Sequence, residues 1–372
     1  MKKWLFGAAL LLALVCVICA TTLPTRVEAA TYGVLTYRIS NGEVTITDCK
    51  TSATGELVIP DTIEGYPVTS IEYYAFYNCD SLTGITIPDG VATIGYDAFS
   101  GCSSLTSITL PDSITAVGSY AFTDCSSLEN VYITDLAAWC QIEFGSASSN
   151  PMYYAENLYL NGSLVSGGLV LPGGITKISY YAFYNCDMLT GIIIPNNVTS
   201  ICTGAFGDCS NLASIVIPNS VTTVGNYAFQ NCSSLTSVVI SDSVTSISGY
   251  AFNDCSSLNH VLYTGTEAQW NAVSIGSGNN SLKNATRHYN CTGNEIVDGI
   301  CVICGLGDAD GDQVITANDA YVLKQYRAGL VELDEKILAL CDVSGDGKVD
   351  AYDAYLIQLR VADMIDKFPC EN

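Results

Sequence analysis

An Ala-Phe pair recurs every 23 residues through the middle of the sequence and constrains the fold more than any other feature. The pairs are Ala75-Phe76, Ala98-Phe99, Ala121-Phe122, Ala182-Phe183, Ala205-Phe206, Ala228-Phe229 and Ala251-Phe252, with one interval of 61 residues. Each unit continues with Cys, Leu, a segment of the form I-x-I or V-x-I, and then V-x-x-I. An apolar pattern at a fixed period predicts a solenoid, in which each coil buries its apolar face only against its neighbours.

Three further patterns give detail to this solenoid. The I-x-I segments should pair in parallel at about 4.8 Å spacing, V-x-x-I should form a second short extended segment, and Ala-Phe should lie on a tight helical turn. Residues 34–46 alternate about Asn41-Gly42, which predicts a hairpin that caps the array. Two similar segments, ending in Trp139 and Trp270 and each followed by a strand pattern, divide the array into two blocks. We expect both tryptophans to fill the coil stack rather than to bind a ligand.

One cysteine recurs in each coil. These residues are Cys79, Cys102, Cys125, Cys186, Cys209, Cys232 and Cys255. Fifteen cysteines follow residue 30, which in an exported chain would usually indicate disulfides. Equivalent positions in stacked coils point the same way, however, whereas a disulfide needs converging Cβ atoms. The seven are therefore predicted to be buried free thiols that act as small apolar side chains.

The N-terminus predicts export. Lys2 and Lys3 precede an apolar run over residues 4–20, and small residues follow at Ala29 and Ala30, as in a secretory signal peptide over residues 1–30. No later apolar run has the length of a membrane span. The net charge of -23 argues against nucleic acid or an anionic membrane as a partner, because both require basic patches. The mature protein is expected to be secreted and either attached to a scaffold or bound at the cell surface.

The repeat unit, with apolar residues such as Leu82, Ile85, Val91 and Ile94 in one cycle, resembles the BspA-like (LRR_5-type) leucine-rich repeat. That resemblance covers residues 57–289 and implies a β-rich leucine-rich-repeat solenoid with parallel short strands and helical turns. It also implies a place among bacterial cell-surface proteins. The predicted organisation is a capping hairpin at 31–56, the solenoid at 57–289 with an irregular insertion at about 134–168, a Cys-containing linker at 290–305, and a separate module at 306–372.

The C-terminal module contains two twelve-residue loops, DADGDQVITAND at 308–319 and DVSGDGKVDAYD at 342–353. Oxygen ligands at loop positions 1, 3, 5, 7 and 12 suit Ca²⁺, which takes six to eight of them. The predicted ligands are Asp308, Asp310, Asp312, Val314 and Asp319 in the first loop, and Asp342, Ser344, Asp346, Lys348 and Asp353 in the second. Gln313 replaces the usual Gly at position 6, whereas the second loop keeps Gly347, so the first site is expected to bind more weakly.

Both loops end in Asp and run into Asp-Ala-Tyr followed by an amphipathic stretch, so the pair resembles a dockerin. This resemblance implies a small all-α module with two structural calcium ions, which binds a cohesin domain on a scaffold protein in a cellulosome-like, polysaccharide-degrading complex. It carries the cohesin contacts to Ala317, Asn318, Lys324 and Gln325 in one copy, and to Ala351, Tyr352, Gln358 and Leu359 in the other. Because the copies differ at these positions, we expect one binding orientation to dominate.

The solenoid offers two candidate surfaces. The middle residue of each I-x-I segment should point outward, and in the second block these residues are Ile193, Val216, Val239 and Leu262. Side by side they would form an exposed aliphatic stripe that binds a protein or glycan, or alternatively a second packed layer or a self-contact. Tyrosines precede Ala-Phe in several coils, at Tyr74, Tyr120, Tyr181, Tyr227 and Tyr250. Stacked aromatic rings can dock sugars or proteins, but a structural role is the favoured interpretation because tyrosine is the usual residue at this position of the repeat.

Two sequence features bear on metal binding and catalysis. Cys291, Cys301 and Cys304, with His288 or Cys341 as a fourth ligand, have spacing that suits zinc, but a disulfide or unpaired thiols fit as well. His260 and His288 are the only histidines, and neither lies in a nucleophile motif. The sequence favours a non-catalytic adaptor. The alternative is a divergent glycoside hydrolase with a cleft near Trp139, which a pair of buried carboxylates there would favour.

Overall fold

The computed structural model of the protein describes residues 29–289 together with two short antiparallel strands, Ile296–Val297 and Ile300–Cys301. The predicted signal peptide up to residue 28, most of the linker and the whole calcium-loop module lie outside the described residues. Within residues 29–289 the chain forms stacked coils. Each regular coil contains one longer strand, one two-residue strand and a turn with the Ala-Phe pair.

A β-hairpin covers the first coil. Leu35–Ser40 pairs antiparallel with Glu43–Cys49, and Asn41 and Gly42 in the connecting turn both have positive φ. Ala30–Tyr32 adds to the outer edge, while Glu43–Cys49 pairs in parallel with Tyr66–Ile71 of the array. Thr62–Ile63 pairs antiparallel with the same strand. The hairpin thus continues the sheet and gives the first coil a neighbour on its otherwise open side.

The longer strands form one sheet in each block. The first block contains Gly55–Val58, Leu82–Thr86, Ser107–Thr109, Asn130–Ile133 and Asn157–Leu160 in parallel, ended by the antiparallel strand Ser163–Leu164. The second contains Gly167–Val170, Leu189–Ile193, Ser214–Ile217, Ser237–Ile240, His260–Tyr263 and Thr286–His288, all parallel. Spatial order follows sequence order, which confirms the predicted solenoid of stacked parallel strands.

The V-x-x-I segments form the second side of each coil. Their short strands are Thr93–Ile94, Ala116–Val117 and Glu143–Phe144, which continue the sheet of Tyr66–Ile71, and Lys177–Ile178, Ser200–Ile201, Thr223–Val224, Ser246–Ile247 and Ser274–Ile275 in the second block. The isoleucine or valine at the second position of each regular short strand is buried. The first residue of each V-x-x-I pattern is buried as well, so each regular coil presents two apolar side chains from this side to the shared core.

The turn around Ala-Phe is not a regular helix. In the first coil the N–H of Tyr77 donates to the carbonyl of Tyr74, and that of Cys79 donates to Phe76, as in consecutive tight turns. Two residues interrupt helical geometry, because Tyr74 has φ 58° and Asn78 has φ 57°, and a helix requires negative φ throughout. The predicted helical turn is thus corrected to a turn that contains two left-handed residues. Equivalent residues have positive φ in every coil.

The core contains two phenylalanine stacks, one in each block. The Ala-Phe phenylalanines stack on their neighbours with ring centroids 4.9 to 5.4 Å apart and ring planes within 19° of each other. The N–H of each stacked Phe that has a regular coil after it donates to the Ala carbonyl of that coil, for example Phe229 to Ala251 at 2.7 Å. All seven phenylalanines are completely buried. The Ala-Phe dipeptide therefore supplies both the backbone hydrogen bonds between neighbouring coils and the stacked rings.

The seven repeat cysteines are free and buried, as predicted. They are more than apolar filling, because in five coils the thiol donates to the Phe carbonyl of the preceding coil at 3.0 to 3.2 Å. The exceptions are Cys79 and Cys186, which begin the two blocks and lack such a preceding coil. Burial raises the pKa of Cys125 and Cys255 to about 12.

Two irregular segments interrupt or end the array. The first contains helix α1 (Leu136–Gln141) and the 3₁₀ turns Ala147–Ser149 and Pro151–Tyr153, and the second contains helices α2 (Glu267–Trp270) and α3 (Asn280–Asn284). Trp139 is buried and its indole N–H donates to the carbonyl of Ala182 at 2.9 Å. Trp270 is also buried, against Tyr263. Both tryptophans therefore fill the stack, as predicted, and Trp139 in addition joins the two blocks.

Candidate binding surfaces

The predicted aliphatic stripe lies side by side on the outer face of the second long-strand sheet. Val216 is the register partner of Val239, and Val239 that of Leu262. Ile193 lies one residue beyond the aligned pair Ile192 and Ile215, which places it next to Val216. Exposure is uneven, because Ile193 and Val216 are half-buried, whereas Val239 and Leu262 are only 5% and 8% exposed. Ile193 and Val216 therefore hold most of the stripe's accessible area.

The outer face of the first block has a different character. Thr86, Thr109 and Tyr132 share one register, and Tyr159 is the next partner of Tyr132. The rings of Tyr132 and Tyr159 stack with centroids 4.9 Å apart and planes 20° apart. Sequence reasoning missed Tyr159 because it falls outside the 23-residue period. The signal that identifies it is the likeness of NVYI at 130–133 to NLYL at 157–160.

The two histidines meet at the end of the second sheet. His260 Nδ1 lies 3.2 Å from His288 Nε2, and the two ring centroids are 5.3 Å apart. Burial and the neighbouring His260 lower the pKa of His288. A cleft of about 420 Å³ next to His260 is lined mainly by uncharged polar side chains such as Asn259, Asn280 and Asn284. The sequence predicted no contact between the two histidines, because His288 lies outside the 23-residue repeat.

Carboxylates do not converge near Trp139. Asp135 caps helix α1 by accepting the N–H of Ala137 at 2.6 Å, and Glu143 forms an ion pair with Lys177 at 2.8 Å. Throughout the described residues, the buried polar side chains belong to Ser, Thr and Asn. The buried carboxylate pair that would favour a glycoside hydrolase is therefore absent from residues 29–289.

Metal-ligating residues also do not cluster in the part of the chain that the structure describes, where no group of three or more His, Cys, Asp or Glu side chains could hold a metal ion. Cys291, Cys304 and Cys341 lie outside the described residues, and of Cys301 only the backbone strand is described. The predicted calcium ligands and cohesin contacts, from Asp308 to Leu359, also lie outside it. In the same described part, no helix is both long enough and apolar enough to cross a membrane.

Comparison with known families agrees with the coil geometry. A family model of the BspA type leucine rich repeat region matches six copies over residues 51–148 and 167–283. The chain belongs to this family. The interval between the two matched stretches falls in the irregular segment that separates the two blocks. A second family model, the dockerin type I domain, matches residues 306–362, so the leucine-rich repeats are followed by a dockerin domain. Neither family is catalytic, and dockerins bind cohesins.

Solved structures of bacterial leucine-rich repeat proteins are similar to this chain. A leucine rich cell surface protein of Faecalibacterium prausnitzii A2-165 has 22% sequence identity, covers 66% of this chain and 97% of its own, and gives a TM-score of 0.27. A leucine-rich repeat protein from Bacteroides ovatus ATCC 8483 has 22% identity, covers 71% of this chain and 80% of its own, and gives a TM-score of 0.41. No curated protein matches the chain.

Proposed function

We propose that the protein is a secreted, non-catalytic adaptor, which the dockerin attaches to a cohesin-bearing scaffold while the solenoid binds a protein or glycan. The observation that carries this proposal is the joining of a dockerin to a leucine-rich-repeat array in one chain. The proposal includes export through the N-terminal signal peptide over residues 1–30. The scaffold would belong to a complex that degrades polysaccharides, such as a cellulosome.

Calcium would have a structural role in the dockerin. The donor set in each loop consists of carboxylate, hydroxyl and backbone carbonyl oxygens, which is the chemistry that Ca²⁺ prefers. We expect the full chain to bind a cohesin in millimolar Ca²⁺ and to lose binding in EDTA. Asp346→Ala should weaken binding, whereas Asp242→Ala, a change of the same charge in the solenoid, should leave it intact. Binding that survives EDTA would contradict the proposal.

The two halves of the dockerin would contribute unequally to the cohesin contact. Asn318 corresponds to Tyr352 and Gln325 corresponds to Leu359, so a twofold-related second orientation would exchange polar for apolar side chains. We expect Asn318→Ala and Tyr352→Ala to change cohesin affinity by clearly different factors. Equal losses in the two variants, measured by titration calorimetry against the same cohesin, would show that both orientations are used.

The solenoid would bind its partner on the outer face of the second block, at the aliphatic stripe Ile193, Val216, Val239 and Leu262. The half-buried Val216 is the place to test this, because Val239 is too buried to accept a charge without loss of stability. Val216→Lys should abolish capture of a partner from cell-wall and plant-fibre extracts. Thr109→Lys, at the equivalent register position of the first block, is the matched control. Unchanged capture by a folded Val216→Lys variant refutes the stripe.

Zinc at Cys291, Cys301 and Cys304, with His288 or Cys341, stays a secondary proposal that rests on spacing alone. Metal analysis of the mature protein distinguishes it from a disulfide, because one zinc per chain and free thiols after chelation would support it. Metal-free protein in which these cysteines resist alkylation until reduced would exclude it.

A further inference from the structure

The first left-handed residue of the turn is an unexpected tyrosine in most coils. Tyr74, Tyr120, Tyr181, Tyr227 and Tyr250 have φ between 57° and 63°, and Asp97 and Gly204 occupy the same position in the other two coils. The second left-handed residue, four positions later, is always Asn, Asp or Gly, the types that adopt this conformation most readily. The backbone therefore does not select tyrosine at the first position, and the phenol ring must contribute something else.

In two coils that contribution is packing on the next coil. A Cβ built on Gly204 would lie 2.5 Å from the ring of Tyr181, and one on Gly278 would lie 2.2 Å from the ring of Tyr250. Each ring therefore occupies the space that a side chain at the glycine position would need. Tyr74 is different, because Asp97 rather than a glycine occupies the next coil's equivalent position.

Tyr74 instead lies at the centre of an exposed aromatic cluster, which we name the tyrosine patch. Its members are Tyr73, Tyr74, Tyr77, Tyr96 and Tyr120, each between 43% and 60% exposed. The ring of Tyr74 is nearly perpendicular to those of Tyr73, Tyr77 and Tyr96, with centroids 5.2 to 5.9 Å apart. Perpendicular rings present both ring faces and ring edges within one small area. The rings of Tyr227 and Tyr250 are instead stacked, with planes that differ by only 15°.

A carboxylate lies within this patch. The N–H of Tyr74 donates to the carbonyl of Tyr96 at 3.0 Å, and Asp97 is the next residue, so this carboxylate belongs to the patch. Partial burial, the Asp97 charge and a hydrogen bond donated to its carboxylate raise the pKa of both Tyr74 and Tyr96.

Residues 51–176 contain no Lys or Arg. The coils over residues 51–176 therefore supply no basic residue to neutralise the ring faces and the Asp97 charge. The basic residues just before them are Arg38, which is paired with Glu72 at 2.5 Å, and the exposed Lys50.

We propose that the tyrosine patch with Asp97 is a docking site for a cationic side chain, Arg or Lys, on a protein partner. A guanidinium or ammonium group over a tyrosine face is attracted by the ring quadrupole, and a neighbouring carboxylate completes the site. Acidic or sulfated partners are disfavoured by the absence of basic residues. This surface lies on the turn that follows the short strand, so it is separate from the aliphatic stripe on the long-strand face.

The test measures binding of a hexa-arginine peptide to the full chain in saturating Ca²⁺ by titration calorimetry. Tyr74→Gly is the informative variant, because glycine already occupies the equivalent position at Gly204. Tyr227→Gly is its matched control, with the same φ of 58°, an exposure of 41% against 43%, and no change in net charge. Asp97→Asn has Asp124→Asn as its matched control, because Asp124 is also an aspartate with positive φ in the first block.

We expect Tyr74→Gly and Asp97→Asn each to raise the dissociation constant about threefold or more, and the two controls to change it by less than about twofold. Because all variants keep the acidic dockerin, attraction by net charge alone predicts equal behaviour of Asp97→Asn and Asp124→Asn, and this result overturns the proposal. A neutral cello-oligosaccharide is titrated in parallel. If Tyr74→Gly loses the oligosaccharide but not the peptide, the patch is a glycan site and the proposal fails.

Discussion

At the scale of the residue, the repeat cysteine shows how one atom can have two roles. A serine would place a strongly polar hydroxyl in the apolar core, whereas an alanine would leave a small cavity and no donor. The thiol fills the space and donates weakly to the preceding Phe carbonyl, for example Cys209 to Phe183 at 3.0 Å. That carbonyl also accepts the N–H of Cys186 at 3.3 Å. It therefore accepts two hydrogen bonds, and the bond from the thiol is the second.

This burial predicts resistance to alkylation. The thiolate is the reactive form, and burial raises the pKa of Cys125 and Cys255 to about 12, so little thiolate forms at neutral pH. Six repeat cysteines have raised pKa values, namely Cys102, Cys125, Cys186, Cys209, Cys232 and Cys255. Iodoacetamide at pH 8 should leave these six unmodified in the native protein and modify all of them in guanidinium. The half-buried Cys202 is the internal comparison and should react first. Mass spectrometry of digested protein reads each site, and native labelling of Cys209 would contradict the buried ladder.

At the scale of the element, the end of the array depends on one asparagine. In regular coils the Phe N–H donates to the Ala carbonyl of the next coil, but no such coil follows Phe252. The side chain of Asn279 replaces it, accepting the N–H of Phe252 at 2.9 Å and donating to the carbonyls of Ser248 and Gly276. Asn279 is completely buried. It therefore satisfies backbone groups that the end of the repeat would otherwise leave without partners.

Replacing this asparagine should destabilise the end of the solenoid. Asn279→Ala leaves the buried N–H of Phe252 without an acceptor, so we expect a loss of about 2–3 kcal/mol in the free energy of unfolding. The neighbouring Asn280 is exposed, and Asn280→Ala should change stability by less than about 0.5 kcal/mol. Urea denaturation of both variants gives the difference. Equal stabilities would mean that water satisfies the Phe252 N–H.

The histidine pair predicts a pH dependence for the last two strands of the second long-strand sheet, His260–Tyr263 and Thr286–His288. Burial and His260 lower the pKa of His288 below its usual value of 6.5, so the unfolded chain binds a proton more readily than the folded chain does. Stability contributed by this site is therefore complete above pH 6.5 and falls as the pH is lowered through that value. Because the chain has only two histidines, NMR titration resolves both. His288→Gln should remove this part of the decline between pH 7 and 5, and an unchanged decline would assign it to other groups.

The period of 23 residues predicted the stacking of coils, the parallel strands and the free cysteines, because each follows from a pattern repeated in sequence. The buried tryptophans followed from the likeness of the two irregular segments and from the usual burial of Trp. It did not predict the left-handed residues, since Tyr74 is a type that rarely adopts positive φ. Nor did it predict how far Val239 and Leu262 are buried, because that depends on neighbouring strands rather than on their own alternation. Tyr159 and the His260–His288 pair were missed because non-periodic segments bring them into register.

At the scale of the whole molecule, the array consists of two blocks whose junction differs from a regular coil contact. The phenylalanine stack is interrupted between Phe122 and Phe183, and Trp139 lies at this place in the chain, with its indole hydrogen-bonded to Ala182. A solenoid unfolds as one unit only while the interfaces between neighbouring repeats are strong compared with the repeats themselves. Coupling between the blocks should therefore depend on Trp139 more than on any single coil residue.

Weakening that junction should separate the unfolding of the blocks. Trp139→Phe keeps an aromatic ring but removes the N–H bond to Ala182 and leaves a cavity, which should cost about 2–3 kcal/mol. We expect urea denaturation of the mature protein, which lacks Trp4, to change from one transition to two. Trp270 then reports the second block, and far-ultraviolet circular dichroism reports both. Trp270→Phe is the control, because it weakens the end of the array and should shift a single transition. A single transition in Trp139→Phe with an unchanged slope would show that the strands and turns couple the blocks without the indole.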